Sequence, residues 1–155
     1  MELRIPHLVV VDVWPAAALA PSAPRPLVLA RVRAGFPSPA DDHVDTVLSL
    51  DDLVRGGAPQ ATFFVRVEGH SMTDDHICDG DVLVVDRSRD PRDGDVVVAA
   101  LDGEMTVKRV RTWALRGDAR LSLVPAGEGF LPIEVSPEQD FVVWGVVTHV
   151  VHRVR

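Results

Sequence analysis

From Thr62 onward the apolar residues, most of them valine, fall into short runs separated by glycine- and aspartate-containing turns. Short β-branched runs between turn signals are typical of strands. No long segment shows the 3.6-residue periodicity of an amphipathic helix. The pattern predicts a mostly-β domain over residues 62–155, with strands at Thr62 to Val67, Val82 to Val85, Asp95 to Leu101, Glu104 to Arg111, Arg120 to Val124 and Phe141 to Val151.

The Asp102-Gly103 pair lies between two of these runs and predicts a two-residue hairpin turn, because both central positions of such a turn need positive φ. Successive side chains of a strand point to opposite faces. The second hairpin arm therefore has Thr106 and Lys108 on one face, with Met105 and Val107 on the other.

Before about Ala61 the sequence looks extended and loosely organised, since most of the chain's 12 prolines lie there. Proline opposes helix interiors and central strands. Leu27 to Val32 could form one short strand, and Asp42 to Val54 predicts a helix or turn. The expected fold is a compact, mostly-β domain of short twisted sheets behind an extended, proline-rich N-terminal arm.

The charge is uneven along the chain. Formal net charge is −7, yet residues 1–34 hold four arginines against two acidic residues. A weakly basic arm could dock on the acidic body, and a solvated tail is equally compatible. A broadly basic nucleic-acid surface is unsupported, because phosphate contacts need clustered Lys and Arg, so no direct sequence-specific DNA binding is expected.

The chain has a single cysteine, Cys78, which excludes an internal disulfide and favours a reducing cytoplasm. The apolar stretch from Leu8 to Ala20 is interrupted by Asp12 and Pro15. It falls short of the roughly 20 residues that span a bilayer, and its flanks do not favour a secretory signal. A cytoplasmic protein without a membrane anchor is expected.

Ser71 follows a predicted strand at a turn marked by Gly69, where a hydroxyl can stand clear of the sheet. A serine needs an adjacent base to become nucleophilic. Lys108 can be that base only if it is uncharged, which requires burial. The backbone N–H groups of Ser71 and Met72 could then stabilise an oxyanion. From the residues alone, a solvated, unreactive serine and lysine remain the ordinary interpretation.

Four sequence blocks change that balance: Val67-Glu68-Gly69-His70-Ser71-Met72, Gly80-Asp81-Val82-Leu83-Val84-Val85-Asp86, Gly94-Asp95-Val96-Val97-Val98-Ala99 and Thr106-Val107-Lys108-Arg109. Together they resemble the LexA/UmuD family of self-cleaving serine–lysine peptidases. The resemblance covers about residues 26–155, with the blocks in the family's order. It implies Ser71 as nucleophile, Lys108 as general base, no cofactor and a homodimer.

Members of that family cut one bond of their own chain, and Ala34-Gly35, followed by Phe36-Pro37-Ser38-Pro39, resembles their cleavage sequence. Small residues on both sides of the bond let an extended segment approach a serine closely, although Ala-Gly is also a common loop dipeptide. The predicted organisation is an arm over 1–34 that cleavage removes, an extended linker over 35–61 and a peptidase and dimerisation domain over 62–155.

Among the branches of the family, LexA-type repressors carry a DNA-binding helix-turn-helix before the cut, for which the arm over 1–34 is too short. Leader peptidases need a membrane anchor, which is not expected here. The resemblance is therefore strongest to the UmuD-like branch, although residues 1–25 match nothing in it. This branch implies an SOS mutagenesis protein whose cleavage is promoted by the RecA–single-stranded DNA filament. The product would be an accessory subunit of a UmuC-like, Y-family translesion polymerase.

Several alternatives stay open. The chain could be a UmuD-like polymerase-binding module that does not cleave itself, or the protease domain of a phage-type repressor. A Ser-His-Asp triad could use His76 or His149. His70, His76 and Cys78, with Asp74 or Asp75, lie close in sequence but match no standard zinc spacing, so no metal is expected.

Overall fold

The computed structural model describes residues 8–18, 25–28, 44–48, 50–55, 59–115 and 118–154. The protein is mostly β, as the sequence predicts. Within these ranges, one helix, α1 (Leu50–Arg55), and two short 3₁₀ turns, Ala16–Ala18 and Thr73–Asp75, accompany the strands. The strands are β1 (Val9–Pro15), β2 (Arg25–Val28), β3 (Val44–Leu48), β4 (Thr62–Glu68), β5 (Val82–Asp86), β6 (Val96–Leu101), β7 (Glu104–Leu115), β8 (Asp118–Val124), β9 (Ile133–Glu134) and β10 (Phe141–Val151).

Eight strands form one antiparallel sheet in the order β1-β4-β5-β10-β6-β7-β8-β9. The sheet also closes on itself, because Val9 in β1 pairs with Thr106 in β7. Six strands therefore make a ring, and β8 and β9 extend from it. Strands β2 and β3 form a separate two-stranded sheet.

The predicted hairpin between β6 and β7 is confirmed. Asp102 and Gly103 both have positive φ, 51° and 84°, as a type I′ turn requires. The ladder then pairs Leu101 with Glu104 and continues without a register shift to Val96 and Arg109. This register brings Lys108 opposite Val97, in the middle of the sheet.

Two clusters of buried apolar side chains fill the interior, since alternate strand residues point inward. The first cluster contains Leu8, Val65, Val67, Met72 and Val107, among others. The second contains Val97, Ala99, Val110, Leu123 and Val146. The predicted serine and lysine, Ser71 and Lys108, are also fully buried.

The N-terminal part differs from its predicted loose organisation. Val9–Pro15 is a strand of the main sheet, paired with Phe63 to Glu68 of β4. A register shift between Val10 and Asp12 breaks the alternation that would have revealed the strand.

The predicted helix or turn over Asp42 to Val54 is also corrected, because residues 44–48 are a strand and only Leu50–Arg55 are helical. Val44 and Val47 instead pair with β2. β-branched residues pack well in strands. Of the predicted strand from Leu27 to Val32, Leu27 and Val28 lie in β2 and the remainder falls outside the described residues. No helix within the described residues is long and apolar enough to cross a membrane.

Candidate active site

Ser71 lies just beyond the end of β4, in a turn that the neighbouring loop holds from one side. Gly69 has φ 113°, a conformation that favours glycine. Its N–H donates to Asp79 Oδ1 at 2.8 Å, and Gly80 N–H donates to Val67 O at 2.9 Å. These two hydrogen bonds fix the direction in which the chain leaves β4 and enters Ser71.

A second loop holds the turn from the other side. Ala126 N–H donates to Ser71 O, and Asp74 N–H donates to Ala126 O, both at 2.8 Å. A Cβ atom at Gly127 would lie 2.7 Å from His70 O, closer than packed atoms can approach. Gly127 therefore permits the close packing that fixes Ser71. The sequence does not predict this role, because nothing near residue 127 indicates that it lies against residue 70.

Lys108 is fully buried, and its Nζ atom lies 2.8 Å from Ser71 Oγ. The structure thus brings the two predicted residues together across 37 positions of sequence. Nζ also lies 3.0 Å from Thr106 Oγ1 and 2.9 Å from Val107 O. No carboxylate of the described residues forms an ion pair with Lys108, which is the only lysine of the chain.

Burial away from water lowers the pKa of Lys108 from 10.5 to about 8, because desolvation disfavours the charged form of an amine. A neutral amine has two N–H donors and one lone pair. Thr106 Oγ1 and Val107 O can accept the two donors, which leaves the lone pair directed at Ser71 Oγ. The arrangement is therefore suited to take a proton from the serine hydroxyl.

Thr106 is a site residue that sequence analysis did not single out. Its hydroxyl accepts from Lys108 Nζ and donates to Leu8 O at 3.1 Å. The signal was present, because strand alternation already placed Thr106 on the same face as Lys108. The contact between the two side chains agrees with that expectation.

Leu8 reaches the same site from the N-terminal side. Its backbone N–H donates to Ser71 Oγ at 2.9 Å, and its side chain is fully buried in the first core cluster. No local sequence pattern pointed to this contact, which joins residues 63 positions apart.

The predicted cleavage site, Ala34-Gly35, lies outside the described residues. Met72 is described, and its side chain packs in the core. No described residue accepts a hydrogen bond from the backbone N–H of Ser71 or Met72. Both N–H groups thus remain candidates for stabilising an oxyanion.

The histidine alternatives find less support in the geometry. His149 is exposed and its ring contacts Thr148 Oγ1 at 3.0 Å, and His76 is exposed on the turn after Asp75. Within the described residues, the hydrogen-bonding partners of Ser71 Oγ are Leu8 N–H and Lys108 Nζ.

The structure groups the potential metal ligands differently from the sequence. Within the described part of the chain, Cys78 lies near Asp81 and His152 rather than in a cluster with His70 and His76. The Asp81 carboxylate is already engaged, because it accepts from Cys78 N–H at 2.8 Å and contacts His152 Nδ1 at 2.6 Å.

Comparison with known proteins relates the chain to one family. The Peptidase S24-like family model matches residues 26–148. Protein ImpA of Salmonella typhimurium is 43% identical over 84% of this chain and 86% of its own length. Protein MucA of Escherichia coli is 43% identical over 90% of this chain and 92% of its own length. LexA repressor 2 of Pseudomonas syringae is 42% identical over 85% of this chain, which spans 65% of that repressor.

The chain belongs to the Peptidase S24-like family, and the resemblance to the LexA/UmuD-like self-cleaving serine peptidases is confirmed. Its similarity to ImpA and MucA extends over most of both proteins and supports a UmuD-like protein of SOS mutagenesis.

Proposed function

We propose that this protein cleaves its own Ala34-Gly35 bond with Ser71 as nucleophile and Lys108 as general base. The observation that supports this best is the 2.8 Å separation of Lys108 Nζ and Ser71 Oγ in a buried site. At neutral pH the pKa of about 8 leaves a useful fraction of the lysine uncharged. A base whose pKa lies near the working pH is the most effective one.

In the first half of the reaction, neutral Lys108 takes the proton from the Ser71 hydroxyl as its oxygen attacks the carbonyl carbon of Ala34. The negative charge on the carbonyl oxygen is stabilised by the backbone N–H groups of Ser71 and Met72. Lys108 then gives its proton to the nitrogen of Gly35. The C–N bond breaks, and an ester joins Ala34 to Ser71.

In the second half, Lys108 removes a proton from water, and the hydroxide attacks the ester carbonyl. Return of the proton to Ser71 Oγ regenerates the hydroxyl and releases a carboxylate at Ala34. Because the substrate is tethered to its own catalyst, the encounter is nearly unimolecular. Each chain cuts once, so the reaction works as a switch that separates residues 1–34 from 35–155.

We further propose that the cut protein acts in the cytoplasm as a homodimeric accessory subunit of a Y-family translesion polymerase. The RecA–single-stranded DNA filament would promote the cleavage. The similarity to ImpA and MucA supports a UmuD-like role.

Mass spectrometry of the purified full-length protein, incubated at pH 7 and at pH 10, tests the proposal. We expect cleavage to be faster at pH 10, because the lysine is then uncharged, and to yield a new N-terminus at Gly35. Ser71→Ala and Lys108→Ala should both stay intact. Adding the RecA filament at pH 7 should accelerate the wild type and leave both variants uncut.

Two outcomes would contradict the proposal. Wild-type chains that stay intact at both pH values, with and without the filament, would favour a binding module that does not cleave itself. Cleavage of Ser71→Ala at the wild-type rate would exclude the serine as nucleophile.

A further inference from the structure

Strand β1 occupies the space between the two elements that carry the reactive residues. On one side it pairs with β4, which leads into Ser71, from Val9↔Glu68 to Pro15↔Phe63. On the other side Val9 pairs with Thr106, two residues from Lys108 on β7. The strand thus closes the ring at the place where the serine and lysine meet.

The end of this segment contacts the nucleophile itself. Leu8 N–H donates to Ser71 Oγ, and Leu8 O accepts from Thr106 Oγ1 at 3.1 Å and from Val107 N–H at 3.4 Å. The Leu8 side chain is fully buried beside Met72 and Val107. Backbone hydrogen bonds on both sides with a side chain in a pocket are the signature of a peptide bound by strand addition.

Two consequences for Ser71 follow. A hydroxyl oxygen that accepts an N–H has one lone pair engaged, which makes it a weaker nucleophile. The volume in front of that oxygen is also filled by the Leu8 backbone. A scissile peptide has to bring its carbonyl carbon within bonding distance of the same oxygen, so both segments cannot occupy the site together.

We propose that residues 8–15 are an internal inhibitory peptide, which binds the active-site groove as an extended strand and leaves before the scissile segment enters. The inference rests on Ser71 being the nucleophile of the proposed function. It identifies the ligand class of the groove as an extended apolar peptide with a leucine-sized side chain at the serine.

Release of this strand is structurally accessible. Its outer face is exposed, with Val9 and Val11 each 40% accessible. The register shift between Val10 and Asp12 interrupts its ladder with β4. Its pairing with β7 is limited to Val9. Besides Leu8, the strand is held by six residue pairs with β4, by Val10 packed against the first core cluster, and by Trp14, over whose ring the Arg66 guanidinium lies.

Leu8→Ala in the full-length protein tests the proposal, because it shortens the side chain in the pocket. We expect self-cleavage at pH 8 to become about 10-fold faster, since a less stable closed state raises the population of open sites. The matched control is Val142→Ala, at an exposed valine on β10 outside residues 8–15, which should cleave within about twofold of the wild type. A fluorophosphonate that labels accessible serines should modify Ser71 of Leu8→Ala faster than Ser71 of the wild type.

A peptide of residues 8–15 supplies the converse measurement. Added to Leu8→Ala, it should slow both cleavage and labelling, whereas the same peptide with Asp in place of the leucine should not. Failure of the leucine peptide to compete would contradict an inhibitory strand.

A reversible disulfide between β1 and β4 tests the proposal if Leu8→Ala does not fold. Val9→Cys and Glu68→Cys place thiols at ladder partners with exposed side chains, in a Cys78→Ser background. Oxidation should stop cleavage and Ser71 labelling, and reduction should restore both. Equal cleavage of the oxidised and reduced forms would overturn the inference.

The result separates this inference from the proposed function. If no variant cleaves at any pH but Ser71 labelling still depends on Leu8, the proposed self-cleavage fails and the inhibitory strand stands. If the wild type cleaves and Leu8→Ala cleaves and labels at the same rate, the inhibitory strand fails alone.

Discussion

Lys108 and Arg109 are neighbours on β7 but lie in opposite electrostatic environments. Arg109 contacts Asp75 Oδ1 at 2.7 Å, donates to Gly94 O, and is partly exposed. Lys108 is fully buried, and its polar contacts are two hydroxyls and a carbonyl. On this one strand, Arg109 therefore has a carboxylate partner, whereas Lys108 is buried away from water without a carboxylate partner among the described residues.

The difference follows from the geometry of a β-strand. Alternation sends adjacent residues to opposite faces, so a charged, ion-paired side and a dry side can lie one residue apart. Arginine stays protonated in proteins. Lysine loses its proton readily when buried, and the single lysine of this chain occupies the dry side.

Replacing Lys108 or Arg109 by methionine should give the largest difference in self-cleavage rate between the two faces of β7. Lys108→Met removes the proposed base, and we expect self-cleavage to fall by about 1,000-fold or more, as loss of a member of a catalytic group does. Arg109→Met should stay within about threefold, because a partly exposed ion pair contributes little. Quantifying intact protein over time at pH 9 checks both, and comparable losses in the two variants would contradict the distinction.

The free energy of unfolding should depend on pH through Lys108. Between pH 8 and 10.5 the unfolded chain holds the Lys108 proton and the folded chain does not, so stability rises with pH. A pKa lowered from 10.5 to about 8 corresponds to about 3 kcal/mol gained across that window.

Urea unfolding of Ser71→Ala, compared with Ser71→Ala/Lys108→Met, measures this contribution without cleavage. The chain has no tyrosine and no second lysine to titrate nearby. A difference between the two proteins that does not change with pH would exclude a lowered pKa.

A carboxylate placed beside Lys108 should keep its amine charged, as the guanidinium of Arg109 is. Thr106 Oγ1 lies 3.0 Å from Nζ, so Thr106→Asp should raise the pKa of Lys108, since a nearby opposite charge favours the ammonium form. We expect cleavage at pH 7.5 to be about 10- to 100-fold slower than in the neutral, isosteric Thr106→Asn. The gap should close above pH 10, and a gap that persists there would point to misfolding.

The loop that holds Ser71 should give a smaller effect. Gly127→Ala places a Cβ against His70 O. We expect this contact to cost about 1–3 kcal/mol in stability. We also expect cleavage to be about 10-fold slower, because a small displacement of the proposed nucleophile lowers the rate. Gly103→Ala is the control for the contact, since its Cβ would meet open space, while its φ of 84° makes it the more strained substitution for the backbone. Equal cleavage rates in the two variants would argue against a positioning role for Gly127.

The sequence predicts the fold best where the signals are local. The Asp102-Gly103 turn and the valine runs from Thr62 to Val151 need only neighbouring residues, and the strands appear there. Strand β1 was missed because its alternation is broken at Val10 and Asp12. Its partner residues on β4 also lie 48 to 59 positions further along the chain.

The candidate site shows the same division. Ser71 and Lys108 could be named from their motifs, and Thr106 could have been found from alternation. The contacts of Leu8 and Gly127 depend on loops and strands that meet only in the folded protein, so the sequence shows no pattern for them.

The pKa of Lys108 tests the central claim most directly. Because the chain has one lysine, ¹³C-labelled lysine in full-length Ser71→Ala gives a single side-chain signal that can be followed by NMR from pH 6 to 11. We predict a midpoint near 8. A midpoint at the ordinary value of 10.5 would mean that the amine is solvated and charged at neutral pH, and would contradict its role as the base.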